Sequence, residues 1–428
     1  MSDLLDCILP DSLSYIGFMA NLRGIKPPEN ELYHFHFDRF VPMNNYLATV
    51  GIKAFLYCPT DIDYSTNTVN GYELHDKRFI KKLTNVPKIN CDYVTGFIGE
   101  FEKKNKSYNQ FAQWYKNLDI KIYTDFKFSS FVADKDLVAK LIKDNLYHIK
   151  IPKYEILSDT DIQLPEFIKN YSNLFIKPKN GGRSERIIVL NKTTEGFKFY
   201  YYPQRYNSPD EAIIFSNLSL EEAISKVKDY ATGSYIIQQG IEVPRYNNSP
   251  IEFRVLMVSD GTKWHSFDVT YLGFADSHVT NRPHVLDNSV ETISILKELY
   301  NEAEANQMMD MIISHAKDIT KLLDKIYPNQ VLEMAYDFIL DQDKNLYFLE
   351  VNTKPALITP MAALDSKIFN VLPEEQEAYD KYLTPYGTML AKFLECRLIE
   401  ERNKYLILNT TAPDHESLIF SKEQRSSF

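Results

Sequence analysis

Apolar and polar positions alternate most clearly in the second half of the chain, where the alternation predicts two β-hairpins. The first joins IEFRVLMV to WHSFDVTYLGF through SDGTK, and the second joins VLEMAYDFIL to NLYFLEVN through DQDK. Successive side chains of a strand face opposite sides of a sheet, and Asp-Gly is typical of tight hairpin turns. NLFIKPKNGG, RIIVLNK, FKFYYYP and SYIIQQGIEV precede these hairpins. The region from about Ser172 onward is therefore predicted to be rich in strands.

Helical spacing marks other segments. ADKDLVAKLIKDN (Ala133–Asn145) gathers apolar side chains into one stripe. SLEEAISKVKDYA begins with Ser219, and Glu222 stands three residues later, which is the pattern of a capping box. MMDMIISHAKDITKLLDKI is also predicted to be a helix.

Changes of pattern set the two ends of the chain apart from its middle. Residues 1–127 mix short apolar runs with polar connectors, which is typical of a small α/β domain. Residues 373–428 are expected to be a helical extension with a polar tail.

Composition narrows the class of protein. The 428 residues carry a net charge of −10, which argues against broad electrostatic capture of nucleic acid or of an anionic membrane. The four cysteines lie far apart without zinc-site spacing, as expected of thiols in a reducing compartment. The first residues lack the basic stretch of a signal peptide, and no apolar run approaches the ~18 residues of a membrane span. We expect a soluble, cytoplasmic protein.

The second hairpin carries oxygen-bearing side chains that could bind a metal ion. One face of VLEMAYDFIL is wholly apolar, whereas Asp337 lies on the other face. If the next strand pairs with it, Glu350 and Asn352 join Asp337 on one face. Two carboxylates and an amide oxygen are hard ligands suited to Mg²⁺. The alternative is a half-exposed hairpin with ordinary surface carboxylates.

Three upstream segments could serve a phosphate-bearing ligand. Lys177 ends an apolar strand before Gly181 and Gly182, an arrangement that suits phosphate capture but also fits a plain turn. The amides and carboxylate of QQGIE, from Gln238 onward, could bind a base and a ribose. Arg254, inside an apolar strand, could clamp a phosphate or simply pair with Glu252 on the same face.

These residues, in this order, resemble the layout of the ATP-grasp superfamily. FIKPKNGG, YIIQQGIE, EFRVLMVSDGTKW, TNRPH and EMAYDFILDQDKNLYFLEVNTKP are similar to motifs of its YheC/YheD-like, endospore coat-associated branch. The likeness covers about 135–360. It implies an ATP-grasp fold, in which two α+β lobes clasp ATP, preceded by a Rossmann-like pre-ATP-grasp domain. Residues 128–235 would then be the central lid subdomain, and 236–372 the C-terminal catalytic subdomain.

The resemblance also implies roles for individual residues. ATP and Mg²⁺, as two ions, would be the cofactors, and the metal would be held by Asp337, Glu350 and Asn352. Lys177, Arg254 and Asn281 would act on the transferring phosphoryl group. The nucleotide would be bound by Lys135, Lys177, Gly181, Gly182, Ser184, Gln238, Gln239, Gly240, Ile241 and Glu242.

One segment departs from the pattern of the branch. The phosphate loop reads NGGRSERIIVL, with Arg183 and Ser184 where further glycines are usual. A charged, less flexible loop could cover the phosphates, or it could indicate slow or altered nucleotide use.

Three functions remain open at this point. The first is an ATP-dependent carboxylate–amine ligase that forms an amide or peptide bond through an acyl phosphate. The second is a kinase that phosphorylates a hydroxyl, and the third is a coat-like protein that binds ATP without turnover. Expected partners are a small or peptide carboxylate and amine, a carrier protein or precursor peptide, or a second copy in a homodimer, with no nucleic acid or membrane. Candidates near the acceptor are His278, Arg282, His284 and Lys354.

Overall fold

The chain divides into two compact units. One comprises Met1–Tyr123, Ser259–Lys263 and Leu383–Phe428, and the other comprises Thr124–Val258 and Trp264–Tyr382. The four-part division expected from the sequence remains a prediction. The computed structural model describes residues 10–20, 40–75, 78–94, 101–102, 106–157, 164–180, 185–203, 212–273, 278, 289–328, 330–355 and 384–410.

The first unit is built on a six-stranded sheet. Its strands are β1 (Tyr15–Met19), β2 (Lys53–Asp63), β3 (Thr68–His75), β4 (Arg78–Asn85), β5 (Ile89–Asp92) and β6 (Lys121–Tyr123), in the order β4-β3-β2-β1-β5-β6. β2, β1, β5 and β6 run parallel, and β3 and β4 add antiparallel strands at one edge. β1 is buried at every position, as expected of a central parallel strand. The helices are α1 (Phe40–Thr49), α2 (Tyr108–Asn117) and α9 (Thr384–Thr410).

The second unit contains two further sheets, and the first of these is antiparallel. Its strands are β7 (Tyr154–Leu157), β8 (Asn173–Pro178), β9 (Ile187–Thr193), β10 (Gly196–Tyr202), β11 (Ile213–Leu218) and β12 (Tyr235–Gln239), in the order β11-β10-β9-β8-β12-β7. α5 (Leu164–Asn170) and α6 (Leu220–Tyr230) supply buried side chains to the core on this sheet. The capping box expected from Ser219 and Glu222 is confirmed at the start of α6.

The other sheet of this unit contains both predicted hairpins. Its strands are β13 (Arg245–Tyr246), β14 (Ser249–Ser259), β15 (Trp264–Leu272), β16 (Ser289–Val290), β17 (Glu333–Leu340) and β18 (Leu346–Asn352). The order is β16-β15-β14-β17-β18, with β13 paired to β14. The helices of this region are α3 (Phe126–Ala133), α4 (Lys135–Asn145), α7 (Thr292–Leu299) and α8 (Glu302–Ile326), and all four contribute to one core with the sheet. The second unit thus has the two α+β lobes that the resemblance implies.

A β-bulge interrupts the pairing of β17 with β18. Phe338 lies opposite Phe348, but the next pair along is Asp337 with Glu350, so Leu349 is an extra residue on β18. Phe348 and Val351 both join the apolar core, although strict alternation would place them on opposite faces. The bulge therefore turns Glu350 away from the core that holds Phe348.

Two histidines lie together beside this core. The rings of His148 and His315 are 5.3 Å apart between centroids, and His148 Nε2 lies 3.2 Å from Asp318 Oδ2. Burial lowers the pKa of His315, and the charge of His148 lowers it further, against the opposing effect of Asp318. The folded protein therefore favours the neutral imidazole of His315.

We expect this histidine to contribute to acid sensitivity. Because the folded-state pKa lies below the ordinary value of 6.5, unfolding takes up a proton as the pH falls below that value, and stability decreases. In His315→Gln the loss of stability between pH 7 and pH 5 should be smaller than in the wild type. Urea unfolding at several pH values measures this, and an unchanged pH slope would contradict it.

No helix within the described residues has the length and apolar character needed to cross a membrane.

Candidate functional site

Three neighbouring strands bring charged side chains together on one face of the β14–β17–β18 sheet. Arg254 on β14 lies opposite Asp337 on β17, and Asp337 lies opposite Glu350 on β18. Asn352 is two residues beyond Glu350 and lies opposite Ala335. The two strands of the second hairpin thus pair as predicted, with the three oxygen-bearing side chains at adjacent positions.

A bidentate ion pair fixes the centre of this face. Arg254 Nε donates to Asp337 Oδ1 and Nη2 donates to Oδ2, both at 2.6 Å. Asp337 is 1% exposed, so its charge depends on this partner. The structure places the guanidinium on Asp337, whereas pairing of Arg254 with Glu252 remains a prediction. The two planar groups match in shape, which holds the guanidinium in one orientation.

Two lysines approach from outside the sheet. Lys135, the first residue of α4, places Nζ 3.5 Å from Glu350 Oε2. Burial works against the charge of Glu350, but Lys135, Lys177 and Arg254 outweigh it and hold the pKa of that carboxyl below its ordinary value. Burial lowers the pKa of Lys177 to about 8, although Glu350 raises it. The charges of Lys177 and Glu350 therefore each shift the pKa of the other group.

The carboxylates and the amide fit a divalent cation. Burial raises the pKa of Asp337, and the adjacent Glu350 raises it further despite the ion pair with Arg254. A cation between the two carboxylates would remove that repulsion. Asn352 Nδ2 donates to Asp337 Oδ2 at 3.3 Å, so its amide oxygen remains as a donor for a metal. Over the described residues no three His, Cys, Asp or Glu side chains could hold a metal, so water and phosphate oxygens would complete an Mg²⁺ shell.

The predicted nucleotide hinge begins with the last two residues of β12, the strand beside β8, and continues past its end. Gln238 is buried, and the backbone N–H of Gly240 donates to Asn173 O at 2.8 Å. A Cβ at Gly240 would lie 2.8 Å from Asn173 Cβ, so this close approach of two chains requires glycine. Ile241 is half-buried and Glu242 is exposed. The roles of Gln238, Gln239, Gly240, Ile241 and Glu242 in binding a nucleotide remain predictions.

Some predicted residues lie outside the described part of the chain. These are Gly181, Gly182, Arg183, Ser184, Asn281, Arg282 and His284. Of the acceptor candidates, His278 and Lys354 are described. The ring of His278 lies 4.6 Å from that of Tyr200 between centroids, and burial lowers its pKa to about 4. The imidazole of His278 is therefore neutral near pH 7. Lys354 is half-buried, two residues beyond the end of β18, and its role at the acceptor remains a prediction.

A cluster of charged side chains with no joint signal in the sequence lies next to the site. Asp134, Asp136 and Lys179 join the start of α4 to the chain that follows β8. An aspartate directly before a helical pattern is an N-cap signal, but nothing in the sequence connects it with a lysine 45 positions later.

The chain matches a family model and a known relative. The family model described as YheC/D like ATP-grasp matches residues 125–383, which is more than half of the chain. The endospore coat-associated protein YheD of Bacillus subtilis (strain 168) is 21% identical over 311 residues, which cover 71% of this chain and 65% of that protein. The match thus spans less than two thirds of that relative.

The chain also matches solved structures. D-alanyl-alanine synthetase A from Vibrio cholerae is 14% identical, with a TM-score of 0.47, and the match covers 90% of this chain and 99% of that one. An ATP-grasp ligase from Chryseobacterium gregarium, in complex with ADP and a leader and core peptide, is 12% identical, with a TM-score of 0.46 and coverage of 90% and 97%. On the match of the family model, and with the two α+β lobes described above, this chain belongs to the YheC/D-like ATP-grasp family.

Proposed function

We propose that the protein is an ATP-dependent carboxylate–amine ligase. The observation that carries the proposal is the charged face formed by Lys135, Lys177, Arg254, Asp337 and Glu350. It offers cations for phosphates and oxygen donors for a metal. Membership of the ATP-grasp family supports ATP as the substrate.

The balance of charge supports a metal-bound triphosphate. Lys135, Lys177 and Arg254 face Asp337, Glu350 and Glu252, which acts on the charge of Lys177. Among these six described side chains, positive and negative charges are therefore equal in number. A triphosphate added alone would leave its own charge uncompensated, whereas divalent cations held by the carboxylates would offset it. Asp337, Glu350 and Asn352 would hold two Mg²⁺ ions, which would supply positive charge against that of the triphosphate.

The proposed reaction proceeds in two displacements. An oxygen of the substrate carboxylate attacks the γ-phosphorus, the bond from that phosphorus to the oxygen of the leaving ADP breaks, and an acyl phosphate forms. The nitrogen of an amine then attacks the acyl carbon. The carbon–oxygen bond to phosphate breaks, and the amine loses a proton. The products are an amide, ADP and phosphate.

The side chains contribute position and charge. Lys135 and Lys177 would bind phosphate oxygens, and Arg254, held in plane by Asp337, would stabilise the transferring phosphoryl group. Holding the two reactants in line avoids the entropic cost of bringing them together. No protein nucleophile is required, because phosphorylation itself gives the carboxylate a leaving group.

Isotope transfer tests the proposal directly. The protein is incubated with Mg-ATP and a panel of amino acids and short peptides whose carboxylates carry ¹⁸O. ADP release is expected only when a carboxylate and an amine are both present, and one ¹⁸O atom should appear in the phosphate that is released. A phosphorylated hydroxyl formed without an amine would identify a kinase instead. Binding of Mg-ATP with no ADP release across the panel would favour the coat-like alternative.

Lys177 provides a prediction on nucleotide affinity. Lys177→Met should weaken binding of Mg-ATP roughly 10- to 100-fold, since a hydrogen bond to a charged group contributes about 1.5–3 kcal/mol. Methionine keeps the apolar stem, so the unfolding midpoint should change little. Isothermal titration measures the affinity. Lys192→Met, an exposed lysine on the neighbouring strand β9, should bind as the wild type does; equal affinities for both variants would remove Lys177 from the site.

A further inference from the structure

We propose that the ion-pair cluster of Asp134, Asp136 and Lys179, called here the Asp134 cluster, positions Lys135 and Lys177 for the triphosphate. The inference rests on the proposed function, because it concerns how the nucleotide site is held in shape. The cluster lies beside the site. Its members would act through the two lysines without touching the nucleotide, which makes them positioning residues.

The backbone already joins the two segments that carry these lysines. Asp134 and Asn180 form an antiparallel bridge, and Lys135 N donates to Lys179 O at 3.2 Å. Lys135 directly follows Asp134, and Lys177 lies two residues before Lys179. A displacement of one segment against the other would therefore change the distance between the two ammonium groups.

The side chain of Asp134 makes two kinds of contact. Its Oδ1 accepts hydrogen bonds from the N–H groups of Asp136 and Leu137, both at 3.1 Å, and so caps α4. Its Oδ2 lies 3.0 Å from Lys179 Nζ. One carboxylate thus fixes the start of the helix and ties it to the end of β8. The Lys179 side chain is 22% exposed, so this pair is screened less than one on the open surface.

Asp136 reinforces the connection from a buried position. It is 3% exposed, and its Oδ2 lies 3.0 Å from Lys140 Nζ and 3.9 Å from Lys179 Nζ. The hydroxyl of Tyr154 donates to Oδ1 at 3.0 Å. A buried carboxylate is costly unless it is paired, and here two lysines and a hydroxyl share the charge.

The helix start explains why these carboxylates are needed at this place. Lys135 is the first residue of α4, where the partial positive charge of the helix N-terminus disfavours a cation. Asp134 and Asp136, on either side of it, offset that charge. The Lys135 ammonium can then remain 3.5 Å from Glu350, at the site, without being repelled by its own helix.

Two substitutions separate positioning from folding. Asp134→Asn keeps the cap, because asparagine caps as well as aspartate, but removes the charge that Lys179 binds. Lys179→Met removes the other partner. We expect each variant to raise the Kd for Mg-ATP about 10-fold, with the KM for ATP rising more than kcat falls. The effect of the double variant on the Kd should be smaller than the product of the two single effects, because both changes break the same contact.

Control variants test whether a change in the Kd is specific to the Asp134 cluster. Asp125→Asn makes the same change at the N-cap of α3, where Asp125 Oδ1 accepts from Phe128 N at 2.8 Å, and it should leave the Kd unchanged. Lys179→Arg keeps the charge and should restore near wild-type affinity. If Lys179→Met does not fold, Lys179→Gln takes its place in the cycle.

The outcomes distinguish this inference from the proposed function. If wild-type protein binds Mg-ATP but Asp134→Asn and Lys179→Met bind it equally well, or their effects simply add, the positioning role is overturned and the proposed function is untouched. If wild-type protein binds no Mg-ATP, the proposed function fails, and the role of the Asp134 cluster is overturned with it.

Discussion

Glu350→Gln is expected to lose Mg²⁺-dependent ADP release by at least about 100-fold while the protein remains folded. Mutating a group that only hydrogen-bonds to a metal ligand typically lowers metal affinity or activity about 10- to 100-fold. Mutating a proposed ligand itself should lower activity more. Glutamine has the same size as glutamate, and it keeps an oxygen toward Lys135. The loss should therefore appear in turnover and Mg²⁺ dependence, which a coupled ADP assay over a range of Mg²⁺ concentrations measures.

The control for this variant is a glutamate outside the site. Glu304 on α8 pairs with Lys344 at 2.7 Å and is partly exposed. Glu304→Gln should retain wild-type turnover, since exposed pairs contribute little. Turnover within twofold of wild type in Glu350→Gln, with unchanged Mg²⁺ dependence, would remove the metal role assigned to the β17–β18 hairpin.

Arg254→Met should destabilise the protein by about 3–5 kcal/mol, because it leaves the buried carboxylate of Asp337 without its partner. Asp337 is 1% exposed and accepts two hydrogen bonds from the guanidinium. Urea unfolding in the absence of metal measures the loss. Adding Mg²⁺ should raise the stability of this variant more than that of the wild type, because a divalent cation can replace the missing positive charge beside Asp337.

A double-mutant cycle isolates the pair. Asp337→Asn combined with Arg254→Met should cost less than the sum of the two single changes, with a coupling of about 0.5–3 kcal/mol. Lys297→Met serves as the control, since Lys297 pairs with exposed Glu302 at 2.7 Å and should shift stability by at most about 0.5 kcal/mol. Additive effects of the two site variants would show that the ion pair does not hold Asp337 in its charged form.

The elements with strong local patterns could be predicted from the sequence. The two hairpins follow from alternation and turn residues, and α6 follows from its capping box, because these signals act between near neighbours. Asp337, Glu350 and Asn352 could be placed on one hairpin for the same reason. Once the two strands pair, Asp337, Glu350 and Asn352 occupy adjacent positions.

The partners of the site residues could not be predicted in this way. Arg254 and Asp337 are 83 positions apart, and only the pairing of β14 with β17 brings them together. The nearest candidate along the sequence was Glu252, on the same strand. Lys135 was identified through a resemblance, since a lysine at a helix start carries no signal of its own. The contact of Asp134 with Lys179 likewise depends on the tertiary structure.

The extra residue Leu349 divides β18 into two stretches that are constrained in different ways. The stretch before it, with Leu346 and Phe348, is constrained by how tightly the interior must be filled. The stretch after it carries Glu350 and Asn352, the proposed metal ligands. Removing Leu349 would keep the same opposing partners, since Phe348 and Glu350 would still face Phe338 and Asp337. It would, however, reduce the local twist and alter the direction in which Glu350 points. A protein that lacks Leu349 should still fold, but it should bind the proposed metal less tightly.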